Sequence, residues 1–419
     1  MKKLMKISFK ITLVLVILAL SSWTIFRAKE HLAGNAYLSY LQQHHSSVPL
    51  DQLPDFQLME KDIQDHSLIL VGESHGFHAP IKFDVDFFRY LNQEHGVKNY
   101  LVEVDYSQAY FLNKYNRNGN DSILIQVLEN WVVNPGKNNL DYFNRWKKLG
   151  DYYRSGAHFQ YHGTDRIADI GLLAAHLEEL DPGSPVPYRA QASDSVNLEN
   201  IKQTVQERLA NLSPGDEYHY DYTHIIRNIN FKLRGAYREE TMTSNLLDLY
   251  QQHELKNRKV YGFYGLGHTL QAPIQAPMKG GFRPMASRLV ETDNWFKEHI
   301  LTANFLFADC HRVTKNKNLP FFLQSEGKYK RMPVSYDDIW IGYLHGINDL
   351  LRITEPNTLT LFKMDAPDSP YSKSNRLVTT TKLLPFGQII NAQEGYVTTD
   401  YGQYMILVRN SNWAEPMDL

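Results

Sequence analysis

Ser67-Leu68-Ile69-Leu70-Val71-Gly72-Glu73-Ser74-His75-Gly76 is the stretch on which the fold turns. Ser67–Val71 is an unbroken apolar run, as expected of a strand covered on both faces, and it stops abruptly at a Gly-Glu-Ser-His-Gly turn. Residues 80–94 then carry Ile81, Val85, Phe88 and Leu91 at helical spacing and end at His95-Gly96, a helix-stop signal. The same strand-then-helix order recurs. Residues 100–104 read as a second strand, and residues 158–161 as a third with a helix running to Leu180. Residues 196–212 and 218–253 read as two long helices, and residues 259–264 as a fourth strand. Strand-like runs at 300–307, 358–362 and 404–408 follow without a clear order. The expected fold class is α/β: a central, mainly parallel sheet flanked by helices, with helical insertions.

Polar residues gather where those strands end. The first delivers Glu73 and His75, the second Glu103 and Asp105, the third His162, Asp165 and Arg166, and the fourth His268 after Gly265-Leu266-Gly267. Open α/β sheets bind ligands at the carboxyl ends of their strands. A carboxylate inside Tyr-Leu-Val-Glu103-Val-Asp needs a partner, because a buried unpaired charge is costly. Plainer roles exist for each residue alone: Glu73 as a helix cap, Glu103 as an ion-pair partner of Arg238 or Arg166, Asp165 with Arg166 as a local pair. Four strands converging on one edge favour a site.

The chemistry open to these groups is narrow. No Gly-x-Ser-x-Gly elbow, His-Glu-x-x-His or phosphate-binding Gly-x-x-x-x-Gly-Lys-Ser/Thr is present. A histidine flanked by carboxylates deprotonates water directly, so His75 is the candidate base, supported by Glu73 and Glu103. Arg238 and His268 are candidates for stabilising an oxyanion, and His162, Asp165 and Arg166 for contacting substrate. The same Glu/His set also suits Zn²⁺ or Mn²⁺, so a divalent metal stays open beside metal-free base catalysis. A small molecule or a peptide is the expected partner. The Tyr- and Trp-bearing residues 106–146 are the expected pocket roof.

The ordered set resembles the erythromycin esterase-like family. It comprises Gly72–Gly76, the helix ending at Glu94-His95-Gly96, the strand bearing Glu103, Tyr161-His162-Gly163-Thr164-Asp165, the Arg238/Met242/Asn245 helix and His268, spanning residues 65–310. That family usually has one more residue between its Glu and His, and two histidines at the second site. The compact forms here are similar to the wider ChaN, TraB and TIKI relatives, which include metal-dependent peptidases and a haem-binding protein. The resemblance implies the fold, a water-activating His75 supported by Glu73 and Glu103, and His268 with Arg238 across the pocket. It implies an ester, lactone or amide hydrolase, with a TraB/TIKI-type peptidase or a non-enzymatic haem or ligand binder as alternatives.

Composition bounds the rest. A formal charge of -2 speaks against a nucleic-acid partner. Cys310 is the single cysteine, which excludes an internal disulfide and multi-cysteine zinc sites. Lys2, Lys3, Lys6 and Lys10 precede the apolar run 11–26. That pattern predicts a signal anchor or signal peptide over residues 1–28. No small-x-small cleavage site is evident, so a transmembrane anchor is favoured, with the catalytic domain exported to the non-cytoplasmic side. Residues 29–49 read as a stalk or first helix, and 50–419 as the catalytic domain.

Overall fold

The computed structural model describes residues 2–129, 139–275, 281–340, 342–383 and 390–417; nothing is stated of the side chains of 2–20 and of 322. Eight strands form the central sheet: β1 (His45–Pro49), β2 (Leu68–Glu73), β3 (Asn99–Val102), β4 (Gln160–Gly163), β5 (Val260–Gly265), β6 (Ile300–Ala308), β7 (Thr358–Lys363) and β8 (Tyr404–Arg409). Their spatial order is β1-β7-β8-β6-β2-β5-β3-β4. From β8 to β4 every pairing is parallel; β7 runs antiparallel to β8 and to β1. This is the expected α/β class, and the late runs at 300–308, 358–363 and 404–409 find their places inside it.

Alternation along β2 explains the layers. Ile69 and Val71 face one side and join Tyr100, Val102, Tyr261 and Phe263 against the helices His78–His95, Tyr106–Asn118 and Leu140–Arg154. Leu68 and Leu70 face the other side, with Leu101 and Val260, against Met242, Leu246 and Leu249 of Arg238–Gln252 and Leu289 of Met285–Thr292. A third group of helices, Ile170–Leu180, Asp194–Leu209 and His219–Leu233, packs around its own apolar cluster as a helical insertion. The run 218–253, expected as one helix, is two: His219–Leu233 stops, and Arg238–Gln252 starts after Gly235, whose φ of 67° is left-handed.

The membrane expectation is corrected. Among the described residues no helix is long and apolar enough to cross a membrane. The transmembrane anchor, the membrane partner and the placement derived from them are therefore withdrawn. Much of the run 11–26 falls on side chains outside the described residues. The backbone there continues without a break as one helix, Lys2–Gln43, and its later part packs on protein. Trp23 and Phe26 meet Tyr343 edge-on, Glu30 pairs with Arg376 and His345, and Gly34 lies so close to Asp349 that a Cβ would collide with it. The stretch expected as a stalk thus docks on the C-terminal part of the chain, and His45–Pro49 closes the sheet as an edge strand.

Candidate functional site

Register brings the strand ends level. Glu73 of β2 lies opposite Gly265 of β5, and Val102 of β3 lies opposite both Phe263 and Gly163. Glu103, one residue beyond β3, therefore sits between the ends of β5 and β4. Gly76 takes φ 98°, which turns the chain sharply after His75 and into the helix His78–His95. Gly265 allows the imidazole to approach: a Cβ there would stand 3.2 Å from His75 Nε2 and 3.5 Å from Glu103 Oε2.

His75 and Glu73 form the first half of the site. Glu73 Oε1 accepts from His75 Nδ1 in a short contact and from the Tyr142 hydroxyl at 3.1 Å. Glu73 is buried, whereas the His75 side chain is 20% exposed, with Nε2 3.7 Å from Glu103 Oε1. With Nδ1 on the buried Glu73, Nε2 is the nitrogen that faces Glu103 and Gly265.

The second half is a charge lattice around Arg238, the first residue of its helix. Its Nη2 donates to Glu103 Oε1 at 2.6 Å, its Nε donates to Asp165 Oδ1 at 2.9 Å, and Nη2 also grips Asp165 Oδ2. Glu103 Oε2 accepts from the Gly265 N–H at 2.6 Å. His268 places Nδ1 2.8 Å from Glu239 Oε1 and Nε2 3.5 Å from Glu103 Oε1. Glu239 is buried and also accepts from the Met285 N–H at 2.9 Å, at the start of helix Met285–Thr292.

These contacts set the charge on His268. Burial works against its cation, but Glu103 and Glu239 outweigh burial and raise it to about 9. The Arg238 Nη1 contact with Nε2 at 3.1 Å pulls the other way, since it is a hydrogen bond only to a neutral ring. Two carboxylates on the ring, against a guanidinium already matched by Glu103 and Asp165, leave His268 an imidazolium at neutral pH. Arg238 is raised further above its ordinary range: burial opposes this, and Asp165 and Glu103 prevail.

Of the expected site residues, His75, Glu73, Glu103, His268, Arg238 and Asp165 stand in one connected network. His162 and Arg166 stand outside it. The His162 ring turns to Asn99 Oδ1 at 3.1 Å and to the His253 ring, and burial, then His253, pushes it down to about 3. Arg166 is exposed, and Asp165 pairs with Arg238 rather than with it, accepting only the Arg166 backbone N–H. Tyr142 and Glu239 belong to the network although the sequence did not single them out. Tyr142 lies in the expected roof; Tyr106 instead donates to Asp221 and packs on His224, and residues 130–138 of that segment lie outside the described residues.

The donors do not fit Zn²⁺ or Mn²⁺. Both oxygens of Glu103 are engaged, by Arg238 and by the Gly265 N–H, and a guanidinium sits in the middle of the set. Among the described residues no group of three or more His, Cys, Asp or Glu side chains is placed to hold a metal ion.

No protein-family model matches the chain, and no curated protein matches it in sequence. Solved structures match it in fold. A Bacillus cereus protein is 12% identical, with 92% of this chain and 99% of that one covered and a TM-score of 0.66. A succinoglycan biosynthesis protein is 12% identical over 90% and 97%, with a TM-score of 0.61. An erythromycin esterase mutant in its open conformation is 13% identical over 89% and 100%, with a TM-score of 0.57. At such identities the likeness establishes a shared erythromycin esterase-like fold, not a particular activity.

Proposed function

We propose that the chain is a hydrolase of an ester, lactone or amide in which His75 activates water without a metal. The observation that carries this reading is the pair of unlike histidines: His75, tied at Nδ1 to the buried Glu73 and itself 20% exposed, and His268, held as a cation by Glu103 and Glu239. His75 Nε2 takes a proton from water as the oxygen attacks the carbonyl carbon. The tetrahedral oxyanion is met by the positive charge of Arg238 and of the His268 imidazolium, both fixed in a partly buried site. When the intermediate collapses, His75 returns its proton to the departing oxygen or nitrogen. Glu73 holds the ring's orientation, and Glu103 ties Arg238 to the end of β5. The erythromycin esterase among the fold neighbours supports the reaction class by analogy of fold alone.

The test is hydrolysis of an ester, lactone and peptide panel by wild type and His75→Ala, each with chelator and with added Zn²⁺ or Mn²⁺. Turnover that survives chelation and disappears in the variant is the expected result. Turnover that requires added metal moves the chain to the peptidase alternative. No turnover, with a Soret band on haem addition that His75→Ala removes, moves it to the binding-protein reading.

A further inference from the structure

The proposed reaction leaves one charged feature beside the site unused. Cys310–Lys315 and Tyr329–Val334 pair as an antiparallel hairpin. The hairpin is seated on the His75 turn: the Val313 N–H donates to Gly76 O at 3.0 Å, and a Cβ on Gly76 would stand 3.1 Å from the Val313 carbonyl. Residues 310–334 hold Arg312, Lys315, Lys317, Lys328, Lys330 and Arg331 against a single acid, Glu326. The whole chain has 44 basic and 46 acidic residues, so this is a local excess. Among the described residues Arg312, Lys317, Lys330 and Arg331 form no ion pair; Lys330 gives a hydrogen to the Leu323 carbonyl, and Arg331 lies 3.1 Å from His311 Nδ1.

The cations also crowd one another, on a hairpin whose Val313 lies against the glycine that follows His75. Burial, then Lys317 and Lys328, lowers the Lys315 amine from its usual range. The half-buried Tyr336 phenol is pushed up to about 12 by burial, with Arg312 opposing and Glu73 adding to the rise.

We propose that this hairpin is a subsite for an anionic group of the substrate, a carboxylate or a phosphate. The bond cleaved at His75 then belongs to a molecule that bears a negative charge to one side of it; this rests on the hydrolytic reading above. Glu73, Glu103, Asp165 and Glu239 would repel such a group in the cleft itself, but each is matched there by a histidine or Arg238. The positive charge of Arg312, Lys317, Lys330 and Arg331 on the hairpin draws the anion to that end.

Two measurements on the full chain test this. Binding without turnover is followed by titrating succinate and, separately, inorganic phosphate, with thermal shift as the readout. Wild type is expected to respond, and an Arg312→Gln/Lys317→Gln double variant to need about tenfold more anion. A response to succinate alone assigns a carboxylate, and one to phosphate alone a phosphate. The second readout is the ratio of kcat/KM for monomethyl succinate to that for methyl butyrate, expected to fall about tenfold in the double variant and to fall with salt in wild type. Esters hydrolysed with no anion bound, or a ratio that the substitutions leave unmoved, overturns the subsite while hydrolysis stands. Anion binding lost in the variant with no ester hydrolysed by either protein overturns hydrolysis and leaves the subsite standing.

Discussion

His75 and His268 both approach Glu103, each with another carboxylate on Nδ1, yet the proposed mechanism gives them opposite work. At His75 the second carboxylate, Glu103, is 3.7 Å from Nε2, and one fifth of the side chain is exposed. At His268 Glu103 and Glu239 close on both edges of a ring that is 10% exposed, and the proton is retained up to about 9. Glu103 is shared at nearly equal distance and each Nδ1 meets its own buried carboxylate, so what differs is exposure: the His75 side chain is 20% exposed and that of His268 10%. Pairs of titratable groups pushed apart by their surroundings divide base from acid. Here one helix, which begins Arg238-Glu239, makes that division.

Removing the base should cost most. His75→Ala is expected to lower kcat by about 10³–10⁴-fold, at the upper end for a positioned base, measured on whichever ester the panel selects. If His268→Ala cost more than His75→Ala, the two roles would be exchanged. Next comes Glu239→Gln, which keeps size and takes away one of the two carboxylates that hold the His268 proton. A loss of about 10²-fold, as for one group that stabilises an oxyanion, is expected near pH 8. It should shrink toward pH 6, where the ring is protonated without help. A loss of equal size at both pH values would mean that Glu239 only supports the fold.

The same ring links stability to pH. Its proton is held to about 9 in the folded chain, against about 6.5 for an ordinary histidine. Below about 6.5 folded and unfolded chains are both protonated, and the contribution is complete. Between about 6.5 and 9 the unfolded chain gives up its proton first, so stability falls with rising pH, and above 9 the contribution is gone. Denaturant midpoints from pH 6 to 9.5 should show this decline in wild type and a flatter curve in His268→Gln.

The half of the site around His75 was far more legible in the sequence than the half around His268. Glu73, His75 and Glu103 lie at or just past the ends of apolar runs, where the polar residue stands out against its strand. His268 stands out in the same way, but its proton depends on Glu239, which read as one more acid inside a single helix 218–253. Only the break at Gly235 brings Glu239 into a first helical turn beside Arg238. His162 shows a different outcome. It follows the rule of polar residues at strand ends, yet it lies within β4, and its ring turns to Asn99 and His253. Long-range pairing was beyond local pattern as well: β8 inserts between β6 and β7, and the helix Lys2–Gln43 finds its cover more than 300 residues away.

Tyr142 gives the smallest expected effect and the finest test of the contrast. It lies 69 residues from Glu73 in sequence, and its buried hydroxyl donates to the same Oε1 that receives His75 Nδ1. Burial first, then Glu73, raises the phenol well above its ordinary range, so it stays a donor throughout the working pH range. A donor on a carboxylate draws charge away from the imidazole on its other side. Tyr142→Phe removes that donor and returns the charge to His75, favouring the protonated ring. The acid limb of the rate–pH profile should therefore move to higher pH, by less than about one unit, with a loss of only a few fold on the plateau. The substitution should also lower stability by about 1–3 kcal/mol through the buried oxygen left short of a partner. Stability lost with the limb unmoved would mean that Tyr142 packs beside the dyad without tuning it, and that Glu73 alone sets the difference between the two histidines.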